Sequence, residues 1–151
     1  MTFSPCLIRS STPSGDARFV LGDALVDRYL EFVAGRSRPN TLLAVAFDLK
    51  TFFNVVGKDP VEVVAADVFE LLARQRGDRT VIRMRDGESG LSARTIARRL
   101  SSVSGFYAYV VAGGDTPVRV SPVPRGLLTR RRGGRARSVP FPACPRGATY
   151  P

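Results

Sequence analysis

Apolar residues recur at helical spacing in four stretches of this chain, and polar, Gly- and Pro-containing segments separate them. The most sharply patterned is Gly90 to Gly114. Ser92 is placed to cap a helix, and Ala93, Ile96, Ala97, Leu100, Val103, Phe106, Tyr107, Val110 and Val111 fall on one face. Gly113 and Gly114 supply the stop. The other face carries Arg94, Thr95, Arg98, Arg99, Ser101 and Ser102, without an acid among them. Upstream, a first helix is predicted from Gly22 to Ala34, with Asp23 at its start and Gly35 at its end. A second follows Arg36 and Arg38, with Pro39 and then Asn40 or Thr41 as caps. Its apolar positions are Leu42, Val45, Ala46, Leu49, Phe52, Phe53 and Val56, closed by Gly57. A third spans Ala65 to Gln75, with Asp67 and Glu70 early and Arg74 and Arg76 at its end, which complements the helix dipole.

These periods predict an all-α fold, a four-helix bundle across residues 20–114. Residues 1–19, rich in Ser, Pro and Gly, are expected to be disordered. Residues 76–90 form a polar link; within it Thr80 to Met84 reads either as a short strand or as part of a mobile loop. Residues 115–151 read as an Arg/Pro-rich linker and irregular tail, with seven prolines between Pro117 and Pro151 that preclude a long helix.

Charge changes the picture more than length does. The 151 residues carry a net charge of +10. Up to Asp115, 15 basic and 13 acidic residues leave +2, whereas the remainder has eight arginines and no acid. This balance points to a polyanionic partner, nucleic acid first and an anionic membrane surface second. Lys50 and Lys58 are the only lysines. An arginine excess suits bidentate phosphate and guanine contacts, but a GC-rich genome produces the same bias, and composition does not separate the two.

The sequence contains no histidine. That removes Ser-His and Cys-His catalysis, histidine metal sites and histidine acid/base work together. Cys6 and Cys144 lie near opposite ends and make neither a disulfide framework nor a metal site, so no cofactor is expected. No signal peptide and no span of about 18 apolar residues is evident, which implies a cytoplasmic protein, nucleoid-associated when bound to DNA. The acids Asp23, Asp27, Glu31, Asp67 and Glu70 are explained by helix-end electrostatics and solvated faces rather than by paired acid/base work. The glycine-rich pieces GGDT and RGGR lack the strand–turn–helix setting of a phosphate loop.

The start of the fourth helix has a plain reading as a solvated face. The second helix repeats its chemistry with Arg36, Arg38, Asn40 and Thr41, and two such starts on one small bundle favour DNA binding. The Arg130–Arg132 cluster fits phosphate pairing and a solubilising tail equally well. Phe106 and Tyr107 read as core rather than as a base-stacking platform, and Tyr109 as partly exposed. Tyr150 has nothing beside it to make a nucleophile.

The run from Ser92 to Tyr109, SARTIARRLSSVSGFYAY, resembles the fourth helix of the N-terminal core-binding domain of tyrosine recombinases, the phage-integrase and Xer-like group. Ser37 to Phe53, SRPNTLLAVAFDLKTFF, is similar to that domain's second helix. Ser121-Pro122-Val123-Pro124 resembles the linker into the catalytic domain, with Ser121 in place of the usual Asn. The resemblance covers about residues 20–137. It implies a SAM-like four-helix bundle that clamps one side of a recombination site, with the starts of the second and fourth helices against double-stranded DNA. Carried onto this sequence, the contacts are Arg38, Asn40, Thr41, Lys50, Ser92, Arg94, Thr95, Arg98 and Arg99. The family's catalytic domain uses histidines and a nucleophilic tyrosine. Its counterpart is not recognisable here, so the expectation is a truncated integrase that binds DNA without catalysis. Its partners would be duplex DNA and recombinase protomers, with a monomer otherwise and no membrane. A helical protein-interaction adaptor whose Arg tail docks an acidic partner is the alternative.

Overall fold

The computed structural model describes residues 2–77 and 90–127. Four helices form the bundle: α1 (Ala24–Ala34), α2 (Pro39–Val56), α3 (Ala65–Gly77) and α4 (Ala93–Gly113). Each boundary has a local cause. The Asp23 carboxylate accepts from the Leu25 and Val26 amides and opens α1 two residues later than the predicted Gly22. Ser92 caps α4 through the Thr95 amide, and Gly114 closes it at φ 70°. Gly57 ends α2 at φ 64°, a left-handed conformation that strains residues with a side chain.

The start of α2 departs from expectation. Neither Asn40 nor Thr41 is the cap; Pro39 occupies the first turn and Arg38 precedes it, with no side-chain cap bond. Proline lacks an N–H and is preset for the helix, so it moves the start one residue upstream of the polar pair.

Residues 1–19 are not the disordered segment expected. Ile8–Ser11 (β1) and Ala17–Val20 (β2) pair antiparallel, Ile8 opposite Val20 and Ser11 opposite Ala17. The Ser, Pro and Gly residues build the turn: Gly15 donates to the Thr12 carbonyl, and the Thr12 hydroxyl accepts from the Asp16 amide. Gly15 has φ 86°. Alternation then directs Phe19 and Leu21 into the core while Arg18 stays exposed. Turn composition and disorder composition coincide here, and two inward apolar residues decide between them. The fold is therefore a helical bundle with a small two-stranded sheet.

One core runs through the molecule. It joins Phe19 and Leu21 to Tyr29, Leu30 and Val33 of α1, Leu49, Phe52 and Phe53 of α2, Val68 and Leu71 of α3, and Leu100, Val103, Phe106 and Tyr107 of α4. Phe106 stacks edge-on against Tyr29, Phe53 and Tyr107 at 5.5, 5.8 and 4.9 Å between centroids. Tyr107 is fully buried, and its hydroxyl donates to the Pro60 carbonyl at 2.8 Å. Phe106 and Tyr107 are thus core residues, as their spacing predicts, and half-buried Tyr109 lies against Phe32.

Beyond α4 the expected linker is partly packed. Asp115 pairs with Arg28 at 3.3 Å, Pro122 and Val123 are buried, and Arg125–Leu127 form one 3₁₀ turn. The predicted strand or loop at Thr80–Met84, the Arg130–Arg132 cluster and Tyr150 lie outside the described residues. Among the described residues, no helix is long and apolar enough to cross a membrane.

Candidate nucleic-acid interface

Helices α2 and α4 run side by side in the same sense. Asp48 meets Arg98 and Ser102, and five residues further along α2, Phe53 meets Phe106. Beyond α2, Pro60 receives the Tyr107 hydroxyl. Contacts that advance together on both helices place both N-termini at one end of the bundle. Arg38, Asn40 and Thr41 therefore share an end with Ser92, Arg94 and Thr95.

All nine residues expected to touch DNA keep solvent access. Arg38, Asn40, Thr41, Arg94 and Arg98 are exposed, and Lys50, Ser92, Thr95 and Arg99 are half-buried. Their situations differ. Arg38 and Arg94 have no ion-pair partner among the described residues. Ser92 and Thr95 are engaged with each other, hydroxyl to hydroxyl at 3.0 Å and amide to hydroxyl at 3.2 Å, so their first task is to fix the helix start. Lys50 stands two positions beyond Asp48, which turns it by about 200° around α2 and off the α4 seam. It is the member of the set that the fold does not bring to the others.

Arg98 and Arg99 reach inward as well as outward. Asp48, 3% exposed, accepts from Arg98 Nη2 at 3.0 Å and from the Ser102 hydroxyl at 2.8 Å. Arg99 Nε lies 3.9 Å from the same carboxylate, buried and without a hydrogen-bond partner. Its motif AFDLKTFF gives Asp48 the look of a solvated residue. Its place three residues after Val45 and four before Phe52 sets it beside the apolar stripe, but nothing local identifies a partner for it.

The two helix starts are held differently. Gly90, at φ 92°, lies so close to α3 that a Cβ there would fall 2.4 Å from the Arg76 carbonyl oxygen. The Leu91 amide donates to the Gln75 carbonyl at 3.0 Å. These contacts pin the entry to α4 against the end of α3 and bring exposed Arg76 to the same end of the bundle. The sequence spacing alone left Arg76 in the link between helices. At α2 the connection from α1 is short, and Arg36 lies over the Phe32 ring at 4.5 Å. An uncapped helix start with adjoining guanidinium groups can receive an anion, because the helix dipole favours negative charge there and the Asn40 amide has no partner among the described residues. The Thr41 and Leu42 amides already bond to the Arg38 carbonyl at 3.0 Å.

The chain matches the family model described as phage integrase, N-terminal SAM-like domain, over residues 26–114. No curated protein and no solved structure matches it. The matched segment contains α1 through α4 almost entire and leaves the β1–β2 hairpin outside. With more than half of its length in that match and the corresponding helices in place, the chain belongs to the phage-integrase N-terminal SAM-like domain family.

Proposed function

We propose that this chain binds double-stranded DNA with the end of the bundle where α2 and α4 begin, as the duplex-holding part of a site-specific tyrosine recombinase. One observation carries the reading: the parallel α2–α4 pairing sets two cationic helix starts side by side in a member of an integrase domain family. Arg38 and Arg94 are the outward phosphate contacts, the Asn40 amide in the first turn of α2 adds one neutral donor, and the Asn40 and Thr41 side chains face the groove. Phosphate contacts dominate, so affinity is modest and depends strongly on salt.

These residues hold DNA rather than cut it. The absence of histidine in the sequence supports this, as does the state of Tyr107. Burial pushes the Tyr107 hydroxyl well above its ordinary value, Asp67 and Asp23 push it the same way, and its proton is engaged with Pro60. A nucleophilic tyrosine needs the opposite environment.

Anisotropy of a labelled random duplex, titrated with the chain at about 50 and about 200 mM salt, tests the reading. Affinity should fall steeply with salt. Arg94→Ala should weaken binding and flatten the slope of log K against log salt by about 0.9, one phosphate contact. Salt-insensitive binding, or an Arg94→Ala variant identical to the parent, contradicts it.

A further inference from the structure

Asp48 is a buried carboxylate on a helix whose other buried residues are apolar, and every strong partner it has comes from α4. Arg98 gives it one of five guanidinium donors, and the Arg98 side chain is still 54% exposed. Ser102, one turn further on, bonds the second carboxylate oxygen. Arg99 approaches within 3.9 Å from the adjoining position. A surface-to-surface pair of this kind would add little. Here one partner is buried and fixed, so the bond acts on the geometry of the other. A guanidinium is a planar fork, and anchoring one Nη through a buried acceptor sets the plane in which its remaining donors leave the surface.

We propose that Asp48 is a positioning residue for DNA recognition: it holds the Arg98 guanidinium so that its outward donors are already oriented for a phosphate at the α2–α4 end of the bundle. This inference rests on the DNA-binding reading above. Arg98 thereby differs from Arg94, four residues earlier on the same stripe, which is exposed and has no ion-pair partner among the described residues to fix it before binding. Simple charge counting gives the opposite expectation, because neutralising an acid beside the interface should raise affinity for a polyanion.

A double-mutant cycle on duplex affinity separates the two. Asp48→Asn preserves side-chain size and removes the anion; in the parent background it should weaken binding about fivefold despite the added positive charge, the loss expected for one long side chain that must now be ordered on binding. In an Arg98→Ala background the same substitution should leave affinity unchanged within twofold. Arg98→Lys, which keeps the charge, lacks the fork and leaves the Ser102 bond to Asp48 in place, should reproduce the loss, and it serves where Asp48→Asn does not fold by circular dichroism. Asp48→Asn binding as tightly as the parent or tighter, an equal loss in the Arg98→Ala background, or an Arg98→Lys variant with parental affinity overturns the positioning role while leaving the DNA-binding reading intact. A parent chain that does not bind the duplex overturns both.

Discussion

The starts of α2 and α4 share an end of the bundle and a chemistry of arginine and small polar side chains, yet they are built to opposite plans. The start of α4 is closed. Ser92 satisfies the Thr95 amide, Gly90 presses on the backbone of α3, and Leu91 bonds to Gln75. The start of α2 is open. Pro39 removes one amide, the Thr41 and Leu42 amides turn back to the Arg38 carbonyl, no side chain caps the Asn40 amide, and Arg38 precedes them with its guanidinium unpaired among the described residues. The comparison teaches that one edge is a fixed rail and the other a receptor. Both starts keep the helix dipole and at least one amide with no partner among the described residues; they differ in that α4 begins capped and anchored to α3, whereas α2 begins with neither support.

The strongest way to break the rail is Gly90→Ala. The left-handed backbone and the Arg76 carbonyl 2.4 Å from the new Cβ leave no room for it, so stability should fall by roughly 2 kcal/mol or more in urea unfolding. Near-parental stability would show that α4 does not need this contact. Ser92→Ala should cost about 1 kcal/mol by the same measurement, through the lost cap. An unchanged midpoint would mean that Thr95 or solvent replaces it.

The receptor is sharpened by closing it. Arg38 has the extended backbone of a cap position, at φ −67° and ψ 153°, so Arg38→Ser should install the missing cap. Stability should rise by about 0.5–1 kcal/mol while duplex affinity falls and its salt slope flattens by about 0.9. A variant that is more stable and binds equally well would contradict the role given to the open start.

The smallest effect concerns a third helix start. Asp67, in the first turn of α3, accepts from the Val64 amide at 2.9 Å and from Lys58 at 2.8 Å. Burial alone would raise its carboxyl, but those hydrogen bonds and the Lys58 charge outweigh burial and hold it below the ordinary aspartate value. A carboxyl lowered in the folded state stabilises the protein above its unfolded value and loses that contribution as pH falls through its folded value. Thermal melts between neutral pH and about pH 3 should therefore show a shallower acid-side decline in Asp67→Asn than in the parent. Parallel declines would remove Asp67 from the acid response.

Much of this was legible in the chain. Capping residues and periodic apolar positions give the four helices, and Phe106 and Tyr107 announce themselves as core because they fall on the same face as Leu100, Val103 and Val110. The N-terminal hairpin was not legible, since Ser, Thr, Pro and Gly serve tight turns and disorder alike, and only the docking of Phe19 and Leu21 selects the turn. The start of α2 was misplaced because Pro39 competes with Asn40 for the same signal. Asp48 was invisible for a deeper reason. A lone acid in an amphipathic segment reads as solvated until its partner is known, and Arg98 lies 50 residues away. Pairing across helices is a property of tertiary register, which local periodicity does not encode.

The central claim is that the two helix starts form one DNA-facing edge. Amide chemical shifts of the ¹⁵N-labelled chain during titration with a random duplex test it most directly. The account predicts that residues 38–42 and 92–99 shift together with a single dissociation constant, while Val56 and Val111, at the opposite end, stay in place. Shifts centred on that far end, or two groups of residues that saturate separately, would contradict it.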